Sequence, residues 1–550
     1  MFFDARQLPA GARVGADLCI VGAGAAGISI ALQFVGRPFK VVVLEGGGFK
    51  SDPATQSLYS GEVVGLPCVR PDLSRSRFFG GSTNCWGGWC RPLDEFDMEV
   101  RSWVPDSGWP ISRYELQPYY RRTHELLKLG PFEYTEKHWG PKLANDSVEF
   151  FPIKNGPLEN RICQLSPPVR FGGFYGPTLK TANNIEVFLH ANATEIDTDH
   201  TGRSVTAIKV ASLDGRRFTV VPRFAVLCAG GIENARLLLV SNRVRQTGIG
   251  NERDVVGRYF MDHPTTLMGK VRLVDQKRHR RLYDNSLAHT RRRVNLRDLN
   301  IAAHLAPEAK FQRENFLPNS RTYLVAQYFQ SLSESYKALR QIKQTLGDRE
   351  KFGVPLHAAI QDIKGALPTL LREAPQLILA ILDNRMNPSF VPRTFRVETI
   401  IEPVPNQNSR VTLLPSLDRL GMPTVKVDWQ LTELDARNFR KVHRLVVEEL
   451  RREGLISVMD EEHHIAESWP ASIGGCCHHI GTTRIHENRS KGVVNSDCRV
   501  HETSNLFVAG SSVFPTAGSD NPTITIVALA LRLAEHLEAV MAQREVIRAS

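Results

Sequence analysis

Cysteine is scarce in this chain: nine in 550 residues, an odd number, with no C-x-x-C spacing among them. That excludes a disulfide framework and a zinc ribbon and predicts a reducing, cytoplasmic setting. Long apolar runs are also missing. A membrane span needs roughly 18 consecutive apolar residues, and the best candidate, APQLILAILD from Ala374, is too short. The amino-terminal stretch MFFDARQLPAGARVGADLCIVGAG has neither the basic flank nor the apolar core of a secretory leader, which predicts no export. There is no internal repeat and no low-complexity tract. Lys and Arg outnumber Asp and Glu by 69 to 58, a formal charge of +11. The basic residues concentrate only at KRHRR (277–281) and TRRRV (290–294), so they read as a solvated surface and not as a nucleic-acid footprint. What remains is an ordinary globular composition, 42% hydrophobic, long enough for two or more domains.

The clearest positive signal is near the start. ADLCIVGAGAAGISIALQF reads as a short apolar strand, a glycine turn and a helix. Gly22 permits the turn, Gly24 lets backbone approach a diphosphate, and Gly27 lets the helix lie close to the sheet. A second apolar strand, KVVVLEGGG, ends at Glu45, placed to accept hydrogen bonds from a ribose and to repel a 2′-phosphate. Two more strand-and-glycine signals follow, RFAVLCAGGIENARLLLVS and NLFVAGSSVFPTAG. Their spread over most of the chain predicts one nucleotide-binding unit interrupted by a substrate unit, with FAD the natural cofactor.

Between these signals, RFFGGSTNCWGGWCRPLDEFD offers backbone N–H groups and flat apolar side chains suited to covering a flavin, or simply a turn-rich loop with buried aromatics. Further on, VETIIEPVPNQNSRVTLLP and PTVKVDWQL predict strands. ELDARNFRKVHRLVVEELRREG predicts an amphipathic helix, and SESYKALRQIKQTL and LHAAIQDIKGALPTLLREAPQLILAILDN predict helices interrupted by proline. Tyr323, Gln327, Tyr328 and Gln330 combine aromatic and amide groups as a sugar site would, but read better as a solvated helix face.

Late in the chain, GGCCHHIGTTR sets Cys476, Cys477, His478 and His479 side by side. Adjacent side chains diverge, which disfavours their convergence on one metal ion. A vicinal disulfide and a structural histidine pair stay open on this stretch alone. AGSDNPTITIVALALRLAEHLEAVM then places Asn521 as a helix cap and Pro522 at the first helical position. The positive end of that apolar helix suits the pyrimidine of a reduced, anionic flavin.

Taken together, VGAGAAG with Glu45, GGSTNCWGG, VGRYFMDHP, CHHIGTTR and VAGSSVFPTAGSDNPTITIVALAL resemble the glucose–methanol–choline (GMC) oxidoreductases, specifically the sugar-oxidising branch of pyranose oxidase and glycoside 3-dehydrogenases. The resemblance covers most of the chain and is weakest over 270–400. It implies an α/β chain, α+β overall, with a discontinuous Rossmann-type FAD-binding domain at 1–265, its flavin-covering loop at 75–120, a sheet-based substrate domain flanked by helices at 266–489, and a return of the FAD domain at 490–550. The catalytic histidine stands three residues before the Gly481-Thr482 pair, which selects His478 over His479, and its partner falls on Asn521. His478 would take the hydroxyl proton; Asn521 would donate to the developing alkoxide while its oxygen caps the helix. His479 would face away.

The same resemblance implies cofactor contacts at Gly22, Gly24, Ala25 and Gly27, at Glu45 and Gly46, and at Gly81, Ser82, Asn84, Cys85, Trp86 and Gly87 of the covering loop. Further contacts fall on Ala193, on Ala229, Gly230 and Glu233, and on Gly510, Ser511, Asn521, Pro522 and Thr523. Pyranose oxidase links its flavin through a histidine where this chain has Cys85, so a histidyl bond is excluded and FAD is expected to be held non-covalently. Ser519-Asp520 stands where many relatives carry small residues. No metal is expected. The implied reaction oxidises a secondary alcohol of a sugar, glycoside or polyol to a ketone, with O2 or a quinone-like carrier as electron acceptor and an oligomer compatible with it. Alternatives are a steroid-like or other apolar alcohol, or a redox-silent hydroxynitrile-lyase-type member.

Overall fold

The computed structural model describes residues 1–153, 156–287, 294–296, 299–327, 334–352, 356–374, 393–459, 469 and 472–549. Tyr328, Gln330, most of the 290–294 basic cluster and nearly all of the apolar 374–383 stretch lie outside them.

Strand Arg13–Val21 is the centre of the first sheet, its Leu18, Cys19 and Ile20 fully buried, as an apolar run covered on both faces requires. Val41–Leu44, Ile185–Leu189 and Phe2–Asp4 extend the sheet on one side, all parallel. On the other side lies Arg217–Leu227, parallel and long enough to serve two neighbours along its far edge. Val205–Ala211 pairs antiparallel with its first residues and carries Asn192–Thr198, while Leu506–Val508 pairs parallel with its last three. The two ends of the chain therefore meet in one sheet, which is the expected discontinuous nucleotide fold.

Two helices cover the ligand end. The first, Ala25–Gln33, follows the turn at Gly22, whose φ of 105° and closeness to the Cys228 carbonyl, 2.7 Å from where a Cβ would sit, both demand glycine. The last, Thr523–Ala549, packs against the first helix and against Arg113–Leu127. Its Ile524, Val527, Ala528, Leu531 and Leu537 are buried, so its first half is a core helix, and polar residues face out only from Arg532 onward. It starts one residue later than expected: Pro522 precedes it, and the Pro522 carbonyl accepts its first bond from Ile526 N–H.

The second sheet is antiparallel, in the order Ile456–Val458, Pro264–Leu273, Thr394–Ile401, Ser320–Gln327, Leu299–Pro307, Leu158–Leu165 and Trp89–Cys90. Strand pairing thus crosses the expected boundary at 265. Leu158–Leu165 pairs over eight residues with Leu299–Pro307, and burial of its Leu158 and Ile162 in one cluster with Ile301, Ala303 and Leu305 recruits it to the second sheet. Arg410–Leu417, Pro423–Trp429 and Gly61–Gly65 form a third, small sheet. The amphipathic helix Glu433–Arg452 starts in a capping box between Thr432 and Asp435. Glu334–Phe352 is helical, and Leu356–Arg372 is helical through Pro368.

One expectation fails here. Tyr323 and Gln327 are on a strand, Ser320–Gln327, and not on a helix face. SRTYLVAQ pairs over eight residues with Thr394–Ile401 in the middle of the sheet, buried on both faces over its first five residues, and its Tyr323 ring, 3% exposed, lies against Trp89. No described helix is long and apolar enough to cross a membrane.

Candidate active site

The ends of these elements enclose a cavity of about 480 Å³. Its floor is the glycine turn after the first strand, with Gly22, Gly24 and Ala25 lining it. The first helix begins there with Gly24 as a cap that offers no side-chain acceptor, so its leading N–H groups point unpaired into the cavity. The covering loop descends from above. Gly81 comes so near that a Cβ on it would stand 2.9 Å from the Gly24 Cα. Ser82, Cys85, Trp86 and Gly87 also line the space.

Glu45 forms one wall. Its Oε2 accepts from Ala23 N–H at 3.1 Å and its Oε1 from Gly47 N–H at 2.9 Å, which fixes the carboxylate beside the turn with lone pairs left over for hydroxyl donors. Burial raises its pKa, and those backbone bonds pull it back. Gly46, Ala193, Ala229, Gly230, Gly510, Ser511, Pro522 and Thr523 complete the expected lining. Two expected contacts stay behind the surface. Gly27 packs the helix on the turn, since a Cβ there would meet the Gly22 oxygen at 1.9 Å. Asn84 spends its amide on the Phe79 and Gly81 carbonyls and so shapes the loop. Glu233 does reach the cavity, but its oxygens are committed to Arg75, Arg77 and Arg236. Burial alone would raise its pKa; the three guanidinium groups outweigh that and hold it below the usual carboxylate range.

An uncapped helix start, a glycine cradle and a buried carboxylate acceptor are what a dinucleotide diphosphate and its ribose need, and the residues present fit FAD. Arg75, Arg77, Tyr59 and Asn192, which motif reading did not single out, line the same space.

His478 and Asn521, 43 positions apart in sequence, line this one cavity at the end of the last helix. The route of the backbone explains the first. Residues 261–265 run antiparallel to 474–480, paired at Met261 with Ile480 and at Pro264–Thr265 with Gly474–Gly475. Between those pairs the 476–479 segment bulges around the carboxylate of Asp262. Oδ1 accepts from Cys476 and His478 N–H at 3.1 and 2.8 Å, and Oδ2 from Cys477 N–H at 3.0 Å. Burial pushes Asp262 up to about 6, against the pull of these bonds. Cys477 takes the left-handed conformation at φ 61°, which turns consecutive side chains apart. Cys476 and Cys477 are both free, so no vicinal disulfide forms.

The imidazole of His478 meets a second histidine absent from the expected site. His263 Nδ1 lies 2.8 Å from His478 Nδ1, and His263 Nε2 lies 2.9 Å from the Gly518 carbonyl oxygen. Burial lowers the His478 pKa well below 6.5, helped by His263, Arg321 and His479. His479 is not turned wholly away. It lines the cavity too, packs its ring 5.8 Å from Phe260, and is pushed down to about 3 by burial and then by Arg75.

Asn521 differs from expectation in how it uses its oxygen. Oδ1 accepts from the buried Arg321 guanidinium, not from the first turn of the helix. Arginine only donates, so the amide is oriented and its NH2 is left for another acceptor. Asp520, fully enclosed, faces Arg91 at 3.5 Å and Arg321 and His304 at 3.9 Å. Cys163, His304 and Asp520 stand close enough to share an ion, but the two guanidinium groups already supply the positive charge.

Comparison with known proteins agrees with this geometry. Residues 405–530 match the GMC oxidoreductase family model. Paromamine 6′-oxidase of Streptomyces fradiae is 34% identical over 140 residues, 26% of this chain and 25% of that one. The similarity to it thus spans about a quarter of its length. 2-Methyl-1,2-propanediol dehydrogenase of Mycolicibacterium austroafricanum is 23% identical over 588 aligned positions, 95% of each chain. Among solved structures, an FAD-containing formate oxidase of Aspergillus oryzae superposes with a TM-score of 0.56 at 17% identity, covering 97% of this chain and 99% of its own. Over residues 405–530 the chain is thus similar to the GMC oxidoreductases, and its fold is similar to that of the formate oxidase over nearly its whole length.

Proposed function

We propose that the protein oxidises a secondary alcohol of a sugar, glycoside or polyol to a ketone. The observation that carries this reading is the shared cavity: an imidazole with one nitrogen unengaged and an amide with its NH2 unengaged line the same space as the dinucleotide cradle. FAD, held non-covalently by the glycine turn, Glu45 and the covering loop, would supply two-electron acceptor chemistry beside the alcohol carbon. The side chains do the rest. The hydroxyl proton leaves to His478, which burial keeps neutral and therefore able to accept it. The Asn521 NH2 donates to the substrate oxygen and stabilises the negative charge that grows there as the O–H bond breaks. Gly230, Gly231 and the covering loop close the cavity around these groups. Support for a hydroxylated substrate comes from the sugar-oxidising motifs and from a near full-length relative that is a dehydrogenase of a diol. A reducing, cytoplasmic setting belongs to this reading, in keeping with few cysteines and no C-x-x-C spacing.

The test is anaerobic addition of D-glucose, methyl β-D-glucoside, sorbitol and 2-methyl-1,2-propanediol to the purified yellow protein. Bleaching of the flavin by one of the first three, with a ketone recovered, is expected; bleaching only by 2-methyl-1,2-propanediol, whose one oxidisable hydroxyl is primary and gives an aldehyde, would replace this reading with oxidation of a primary alcohol. Bleaching only by a steroid or other apolar alcohol, or cyanide release from a cyanohydrin with the flavin unchanged, would replace this reading. Acid precipitation should release all the yellow colour; colour retained in the pellet would mean a covalent bond.

A further inference from the structure

The next-to-last residue of VGRYFMDHP is a histidine that the proposed reaction leaves without a task, yet His263 is fully buried and touches His478. We infer that His263 is a positioning residue that locks His478 in the Nδ1–H tautomer, leaving the bare lone pair on Nε2 as the proton acceptor in the cavity. The inference rests on the reading of His478 as the base.

The argument is one of hydrogen inventory. A carbonyl oxygen has no proton to give, so across the 2.9 Å contact His263 Nε2–H must donate to Gly518. A neutral imidazole carries one ring proton, and this one is spent. His263 Nδ1 is therefore a lone pair, and the 2.8 Å contact between the two Nδ1 atoms is a bond only if His478 donates. His478 in turn has used its single proton, and its Nε2, which makes no hydrogen bond among the described residues, is left as an acceptor. Neutrality of the relay follows from its surroundings: among the described residues no carboxylate bonds the His263 ring, Asp262 taking only its backbone N–H, and burial with Arg321 pushes His263 down to about 3 against the pull of the Gly518 and Ala517 carbonyls.

The carbonyl that starts the chain is itself held. Gly518 has φ 61° and no room for a side chain, a Cβ there standing 2.5 Å from Leu93. Its N–H donates to Glu402 Oε1 at 3.3 Å. Glu402 is clamped by the Arg101 fork at 2.6 and 2.7 Å, with both side chains fully enclosed. That bond fixes the peptide before Gly518, while the carbonyl that accepts from His263 belongs to the peptide after it, so Glu402 anchors the residue from one side and His263 from the other. From Arg101 to His478 every link has one permissible donor.

The experiment uses holoenzyme labelled with ¹⁵N at the histidine ring nitrogens, and His478 is identified by the signals that vanish in His478→Asn. At neutral pH, long-range proton–nitrogen correlation should show His478 Nδ1 as pyrrole-type and Nε2 as pyridine-type. In His263→Phe, which removes the acceptor, the two signals should move toward averaged values. Anaerobic bleaching by the fastest compound of the four-member panel should then slow about 10- to 1,000-fold, within the span a lost tautomer costs, while the half-saturating concentration and FAD content hold. His263→Asn, whose oxygen can stand where Nδ1 stood, should regain at least tenfold. A pyridine-type Nδ1 on His478 of the native protein, or native bleaching in His263→Phe, overturns the inference alone. Native bleaching in His478→Asn overturns instead the reading on which it rests.

Discussion

The acid limb of flavin reduction should lie below the range of an ordinary histidine. An imidazole with its reference pKa of about 6.5 is roughly nine-tenths protonated one unit lower, and a rate that needs its neutral form falls about tenfold per further unit. His478 is not ordinary. Burial penalises its charged form, and His263, Arg321 and His479 repel a proton on it, all in the same direction. A lowered pKa means that the neutral base persists to more acid solution. Between pH 7.5 and 5.5 the limiting rate of anaerobic bleaching should therefore change by less than about twofold, where an unshifted imidazole would give about tenfold. The measurement is stopped-flow reduction across that range with a saturating panel substrate. Arg321→Met removes a nearby cation and should move the limb upward, toward the reference value. A limb centred at 6.5 in the native protein, or one that moves downward in the variant, would refute the reasoning.

Replacing the base itself is a larger perturbation: His478→Ala should keep FAD bound and slow bleaching about 10²- to 10⁴-fold, the usual share of a general base, and near-native bleaching would defeat its assignment. Asn521→Ala should slow the limiting rate about 10²- to 10³-fold, the loss typical of one oxyanion donor. If Arg321 orients that amide, Arg321→Met should cost rate in the Asn521 protein much less than in the native one, which a double-mutant comparison of bleaching rates reads directly. Breaking the enclosed Arg101–Glu402 pair by Arg101→Met leaves a buried carboxylate without its partner and should cost about 3–5 kcal/mol. Guanidinium unfolding followed by tryptophan emission checks this, and an unchanged midpoint would count against the pair's role.

The nucleotide half of the fold was legible because its signals are local. The strand, the Gly22 turn and the first helix follow each other within about twenty residues, and backbone geometry alone dictates glycine there. The expected wall residues accordingly line one cavity. Gly27 and Asn84 act from behind it because a packing glycine and a ligand-facing glycine look the same in a motif. The second sheet was harder to read. Leu158–Leu165 and Trp89–Cys90 join strands that begin more than a hundred residues later, and nothing local marks that choice. Tyr323 shows the same limit, since a mixed aromatic and amide pattern does not reveal that a neighbouring strand will bury it.

Within the site, what escaped the motifs was the set of partners. Arg321, Asp262 and His263 gain meaning only when distant segments meet, and together they explain how a base with a depressed proton affinity can still work. The positive charge that discourages protonation of His478 comes from Arg321, whose guanidinium also grips the Asn521 amide. At the substrate oxygen, that same field and the leading end of the last helix favour an alkoxide and so make the hydroxyl a stronger acid. One field thus lowers the affinity for the proton on both sides of the transfer. The difference between donor and acceptor, which sets the barrier, shrinks even though each group is far from its value in water. A neutral relay through His263 serves this balance better than a carboxylate would, because a negative charge at that position would raise the proton affinity of His478 and cancel the effect of Arg321.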